Sequence, residues 1–286
     1  MPGRPAVFLD RDDTLIANRS LSAMPGLRPG DLCDPARVSL LPGAEEGCRL
    51  LHASGLVLVV VTNQGVVARG GGTLDEVRQT NDRLRELLAD PARPGASIID
   101  AVYACPFHPE GSVPRFTGEH AWRKPSGGMI EAAAAELGID LRASWMIGDS
   151  ERDIEAAVDA GIPRDNTILL NERVPDMLAA ALVVLAGRSA RTERSTVTLT
   201  AERPGAFEDP RVRDTVIATA NAIAERTGLK LVEVTLDASG VSATLEAPEV
   251  VAVGFGAELR RLTDAWHRGR FGTPLWPQRL DREGGA

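Results

Sequence analysis

Five short apolar runs that never alternate polar with apolar residues constrain this chain more than any other feature. They are Ala6-Val7-Phe8-Leu9, Leu56 to Val61, Ile98 to Tyr103, Trp145-Met146-Ile147 and Thr167 to Leu170. Rich in Val and Ile and bounded by Gly, Pro or Asp, such runs suit strands buried on both faces of a parallel sheet. Amphipathic stretches separate them, at 44–53, 73–89, 126–137 and 152–160. This βαβα order predicts an α/β fold, a three-layer doubly wound parallel sheet. Such a sheet takes its ligand at the carboxyl ends of its strands, near the point where strand order reverses. The polar groups that leave strands at that edge are Asp10, Thr62 and Asp149.

A second unit follows. The pattern breaks at Ala186-Gly187-Arg188-Ser189, and an Arg/Thr/Ser-rich connector leads to a new series of elements. It reads as strand 196–200, helix 210–227, strand 230–236, an Asp-Ala-Ser-Gly turn, strand 241–246 and helix 250–268. The expected division is therefore 1–187 and 196–286, the second part a small α+β domain. That part carries no catalytic constellation. Its arginines gather late, at Arg260, Arg261, Arg268, Arg270, Arg279 and Arg282, which reads as a solvated or partner-binding face. A net charge of −8 argues against bulk nucleic-acid binding, so nucleic acid is not an expected partner. No apolar run approaches the ~20 residues that span a bilayer, and the N-terminus lacks a signal-peptide layout. Three scattered cysteines make no disulfide framework, and the cytoplasm is the expected setting.

The chemistry is concentrated in four segments. The first strand ends Phe8-Leu9-Asp10-Arg11-Asp12-Asp13-Thr14. Two carboxylates at i and i+2 leaving a buried strand are costly unless a cation is brought to them, and Mg²⁺ is typically held by one or two carboxylates plus phosphate oxygens. An ionised Asp10 beside such a metal can attack phosphorus, and Asp12 can protonate the leaving oxygen. A solvated Asx turn is the simpler alternative for this segment taken alone. Val61-Thr62-Asn63-Gln64-Gly65 offers a hydroxyl and backbone amides to a phosphate oxygen. Arg123-Lys124-Pro125 supplies one of only two lysines in the chain, ahead of a helix expected to start at Pro125-Ser126. Ile147-Gly148-Asp149 then adds a metal-competent acid, with Asp153 one helical turn on to orient the ligands around the metal.

Together these segments resemble the haloacid dehalogenase-like phosphatases over roughly residues 4–172. The wording Phe-Leu-Asp-Arg-Asp-x-Thr-Leu, Val-Thr-Asn-Gln, Ala-Arg-Gly, Cys-Pro-x-His-Pro-Glu-Gly and Arg-Lys-Pro is similar to the branch of heptose bisphosphate and histidinol-phosphate phosphatases. The resemblance implies a minimal cap, Asp10 as nucleophile and Asp12 as general acid/base. It gives Thr62 and Lys124 to the phosphoryl group, and Mg²⁺ to Asp10, Asp149 and the carbonyl of Asp12. Asn63, Gln64 and Arg123 are expected to touch substrate. It implies a small phosphorylated metabolite, first a sugar phosphate or bisphosphate. Histidinol phosphate, a nucleic-acid end, or a weakened binding module stand as alternatives.

Three departures from the branch are visible. Asp13 stands where the family usually has Gly, and would have to tolerate a positive φ. The branch commonly binds structural zinc through Cys-x-His and Cys-x-Cys. Here those pairs read Cys105-Pro106-Phe107 and His120-Ala121-Trp122. Only Cys105, His120 and an out-of-register His108 remain, so Zn²⁺ is expected to be absent and the loop held by packing. Finally, the segment 17–41 is long and rich in Pro, Gly and Arg. It should lie over the site, where Arg19, Arg28 and Arg37 could meet an anionic group.

Overall fold

A computed structural model describes residues 3–22, 28, 30–188 and 193–277. The chain separates into two compact units, Met1–Ala181 and Leu182–Ala286.

In the first unit, β1 (Ala6–Leu9), β2 (Val57–Asn63), β3 (Ala101–Cys105), β4 (Trp145–Gly148) and β5 (Thr167–Leu169) form one parallel sheet in the order β3-β2-β1-β4-β5. The apolar runs do not alternate because every residue of β1 and β4 is buried. Helices α1 (Ala44–Ala53), α2 (Leu74–Leu87), α3 (Gly128–Leu137) and α4 (Glu151–Asp159) connect the strands. α2 opens on a capping box, in which the Thr73 hydroxyl accepts from the Glu76 amide at 3.1 Å and Glu76 accepts in return from Thr73 N at 2.7 Å. The chain runs from β1 outward to β2 and β3, then returns to place β4 on the other side of β1. The reversal point thus lies between β1 and β4, above Leu9 and Ile147, which are register partners.

Among the boundaries that differ from the sequence reading, two have a visible cause. Ile98 and Ile99 are buried, yet pairing with β2 starts only at Ala101 opposite Val59, because Asp100 turns its carboxylate onto the Leu58 amide at 2.9 Å. The apolar pattern reports burial there, not strand pairing. α3 begins at Gly128, not at Pro125-Ser126. A turn closed by Ser126 N to Arg123 O at 2.9 Å intervenes, and the Gly127 amide is satisfied by Asp159 Oδ2 at 2.8 Å. The run that breaks after Leu185 in sequence belongs to a further helix, α5 (Met177–Arg188), almost wholly apolar.

The second unit holds β6 (Ser195–Thr200), α6 (Pro210–Thr227), β7 (Leu231–Leu236), β8 (Gly240–Leu245) and α7 (Glu249–Phe271). Its antiparallel sheet has the order β6-β8-β7. Asp237 Oδ1 accepts from the amides of Ser239 and Gly240 and shapes the β7–β8 turn. Gly256 lets α7 approach β6, since a Cβ there would stand 2.5 Å from Val197. Glu258 is fully buried on α7 and is paired with Arg226 and Arg261. Of the late arginines, Arg261 pairs with Glu258, Arg268 with Asp264 at 2.6 Å, and Arg260 donates to the Pro277 carbonyl. Much of the basic face is therefore spent inside this unit. Arg279 and Arg282 lie outside the described residues. No helix among the described residues is long and apolar enough to cross a membrane.

Candidate functional site

Asp10 follows β1 and is held at the sheet edge by its amide, which donates to Ile147 O on β4 at 3.0 Å. Its side chain is 7% exposed. Lys124, as buried, reaches under it from the loop before α3. The ammonium donates to Asp10 Oδ1 at 2.5 Å and Val61 O at 2.8 Å and forms an ion pair with Asp153 Oδ1 at 2.7 Å. Burial works against the Lys124 charge, but Asp10 and Asp153 outweigh it and hold its pKa above the ordinary lysine value. Asp10 is pushed up to about 7, chiefly by burial, with Lys124 opposing and Asp153 and Asp12 adding to the rise.

Asp149, at the end of β4, carries a buried Oδ1 with no hydrogen-bond partner. Burial raises its pKa, Arg19 opposes, and Asp153 reinforces the rise. Asp10, Asp149 and Asp153 each bring a carboxylate oxygen within 4.8 Å of the others. Lys124 serves Asp10 and Asp153 while exposed Arg19 serves Asp149, so three acids face two cations, and an oxygen-seeking divalent cation fits that deficit and the orphaned Asp149 oxygen. Asp153 thus stands closer to the acidic centre than the sequence reading placed it. It is kept there by the Ser150 amide at 3.0 Å and by Gly148, where a Cβ would lie 2.5 Å from Asp153 Cβ.

Asp12 is gripped by four side chains. Arg11 reaches both oxygens (3.2 and 3.1 Å), Asn18 donates at 3.0 Å, Gln64 at 2.9 Å and Thr62 at 3.3 Å. Arg11 is itself fully buried and anchored to Asn81 Oδ1 at 2.8 Å. Gln64, expected to touch substrate, is committed to Asp12 and to the Thr62 hydroxyl at 2.8 Å. Asn63 is likewise engaged. Its amide donates to Lys124 O at 2.9 Å and accepts from Lys124 N at 3.0 Å, a two-point clamp on the lysine main chain. The geometry gives both residues a positioning task. The sequence does carry a signal for Arg11, since an arginine between two acids at a buried strand end needs a carboxylate partner, but none for Asn18.

Asp13 adopts φ +58°, the one left-handed non-glycine among the described residues. Its Oδ1 accepts from the amides of Asn18 at 3.0 Å and Arg19 at 2.9 Å, a task that glycine could not perform.

Beside Asp12 opens a cavity of about 360 Å³ lined by five arginines, Arg19, Arg28, Arg69, Arg123 and Arg152, against Asp12, Asp13 and Asp31. Arg69 is paired with Asp31, and half-buried Arg123 donates to Phe107 O at 3.1 Å. Burial lowers the Arg123 pKa, with Arg152 and Arg69 adding to the fall while Cys105 opposes. Burial also lowers that of His108, with Arg123 and Arg69 adding to the effect. Such a lining selects an anionic ligand. Arg37, from the same long segment as Arg19 and Arg28, instead donates to Ser22 O at 2.7 Å.

Where the zinc pairs would stand, Phe107 stacks on His120 at 4.1 Å, and Tyr103 meets Trp122 edge-on at 5.8 Å. His108 Nδ1 and His120 Nδ1 accept from the amides of Glu110 and Trp122, and Cys105 is buried. Among the described residues these three side chains form no metal-holding group.

An acid-and-lysine centre at the reversal point of a parallel sheet, opening on an arginine-lined cavity, belongs to a hydrolase of phosphate esters. Residues 121–169 match the family model described as HAD-hydrolase-like. The chain is 36% identical over 158 residues to the D-glycero-beta-D-manno-heptose-1,7-bisphosphate 7-phosphatase of Yersinia pestis, covering 55% of this chain and 77% of that protein. It is 38% identical over 161 residues to the D-glycero-D-manno-heptose-1,7-bisphosphate 7-phosphatase of Thermosynechococcus vestitus, covering 55% and 76%. A solved D,D-heptose 1,7-bisphosphate phosphatase from B. bronchiseptica, complexed with magnesium and phosphate, is 25% identical. It covers 62% of this chain and 95% of its own, with a TM-score of 0.46. The chain belongs to the haloacid dehalogenase-like phosphatases, in the branch of the heptose bisphosphate phosphatases.

Proposed function

We propose that the protein hydrolyses a sugar bisphosphate with Mg²⁺, through an aspartyl phosphate on Asp10. The observation that carries this reading is Lys124, buried and bridging Asp10 to Asp153 beside the unpartnered oxygen of Asp149. Asp10, Asp149 and the main-chain carbonyl of Asp12 would hold the metal. When bound, Mg²⁺ supplies charge to offset the phosphoryl oxygens and to keep Asp10 ionised. Lys124 fixes Asp10 Oδ1, which leaves Oδ2 to attack phosphorus as the bond to the sugar oxygen breaks. Asp12 gives its proton to that departing oxygen. The resulting Asp12 carboxylate then takes a proton from water, and the hydroxide displaces phosphate from Asp10, restoring both acids. Arg11, Asn18 and Gln64 hold Asp12 on the cavity side throughout, and the buried Thr62 hydroxyl supports it by donating to Asp12 while accepting from Gln64.

The excess of arginine in the adjoining cavity supports a substrate with a second anionic group, and Arg123 and Arg152 are placed to meet it. Three buried free cysteines fit a reducing compartment, and we propose the cytoplasm. The test is phosphate release from a panel of sugar bisphosphates, sugar monophosphates, histidinol phosphate and 3′-phosphorylated DNA, with Mg²⁺ and then with EDTA. Turnover should be highest on a bisphosphate, vanish with EDTA, and fall at least about 10⁴-fold in Asp10→Asn. Full activity in Asp10→Asn sinks the nucleophile assignment, and preference for a monophosphate sinks the second-anion reading.

A further inference from the structure

We infer that Arg19 is a tethered competitor for the metal at Asp149, so that a cation binding at this carboxylate must displace the guanidinium or bind against its charge. The inference rests on the Mg²⁺ reading above. Asp149 offers two oxygens: Oδ1 is buried without a partner, and Oδ2 is taken by Arg19 Nη2. A cation that draws on Asp149 therefore meets a carboxylate already paired with a positive group.

The pairing is built, not incidental. Arg19 sits on the long segment after β1, and its root is fixed because Asp13 Oδ1 accepts its backbone amide at 2.9 Å. The Asp13 carboxylate also lies 3.4 Å from Arg19 Nε, so the side chain is guided from Asp13 toward Asp149. Asp13 does this from a left-handed backbone, φ +58°, where an acidic residue costs more than glycine. The Asp13 carboxylate accepts from the Asn18 and Arg19 amides alike, so the departure from glycine at this position bears directly on where Arg19 is held.

The competitor is also releasable. The Arg19 side chain is 67% exposed while that of Asp149 is 7% exposed, so the guanidinium can leave for water and the acid cannot. When displaced, Arg19 stays at the cavity that it lines, and its charge becomes available there to an anionic ligand. Metal occupancy and the charge of the cavity are thus coupled through one side chain.

The test titrates Mg²⁺ alone into the full chain and into Arg19→Gln by calorimetry at fixed ionic strength, with no substrate present. An ion pair of this exposure is populated about two- to fivefold over its open form. Removing the competitor should therefore tighten Mg²⁺ binding by about three- to sixfold. Without metal, Arg19→Gln should melt at most slightly lower, because a pair with one exposed partner contributes little to stability. Equal or weaker Mg²⁺ affinity in Arg19→Gln overturns the competitor while leaving the metal reading intact. Absence of Mg²⁺ binding in both proteins overturns the metal reading and the competitor with it.

Discussion

Asn63→Leu separates a positioning role from a substrate contact. The Asn63 side chain makes two hydrogen bonds to the Lys124 main chain, at 2.9 and 3.0 Å, and leucine has nearly the same shape with neither polar group. At about 1 kcal/mol net for each bond, the loss is about 2 kcal/mol. For a unit of this size that corresponds to a fall in Tm of about 4–8 °C. The displaced main chain carries the ammonium that fixes Asp10, so kcat should fall by about tenfold to a hundredfold, the scale of a ~1 Å misplacement. KM should move little, since no substrate contact is lost. Thermal unfolding without metal, followed by steady-state kinetics at saturating Mg²⁺, reads all three quantities. A large rise in KM with Tm and kcat unchanged would refute the reasoning and return Asn63 to the substrate.

Three further perturbations follow from the same geometry. The metal-free Asp10 pKa of about 7 lies above the ordinary 3.8, so the folded state binds more protons than the unfolded state between those values. Stability of the metal-free protein should therefore decline as pH rises from about 4 to about 7, and stabilisation by Mg²⁺ should grow over that window. A Mg²⁺-induced Tm shift that is flat across it in calorimetry contradicts the burial argument. Gly148→Ala forces a Cβ to within 2.5 Å of Asp153, and should lower both Tm and kcat by moving a partner of Lys124; an unperturbed variant would mean that α4 yields freely. In the second unit, Glu258→Ala removes the buried carboxylate that pairs with Arg226 and Arg261 and should cost about 3–5 kcal/mol in that unit's unfolding. A loss below about 1 kcal/mol in urea denaturation would show that water replaces the pair.

The sheet was legible because its signal is burial on two faces, which leaves an unbroken apolar run wherever it occurs. β1 and α1 fall on their expected residues, whereas β3 begins three residues late, since Ile98 and Ile99 are buried without pairing. α5 was illegible for the opposite reason: a helix apolar all round has no periodicity to read. At the site, Asp10, Lys124 and Asp149 could be placed because each leaves a strand or precedes a helix. The tasks of Asn63 and Gln64 could not, because an amide side chain looks the same whether it serves a ligand or a neighbouring backbone. Distance decides that, and only folding brings Asn63 to Lys124, 61 residues away.

The pairing of β1 with β4 has one more consequence. Leu9 and Ile147 are register partners, so Asp10 falls one residue past that pair and Asp149 two residues past it, on adjacent strands at one edge of the sheet. Neighbouring strands lie about 4.8 Å apart, near enough for side chains from both ends to reach one Mg²⁺ at ~2.1 Å each. The sheet therefore works as a gauge block: the gap between the strand ends that precede the two acids is set by backbone pairing, not by the loops beyond them. Insertions such as the long segment after β1 can then lengthen or change sequence while that gap stays fixed.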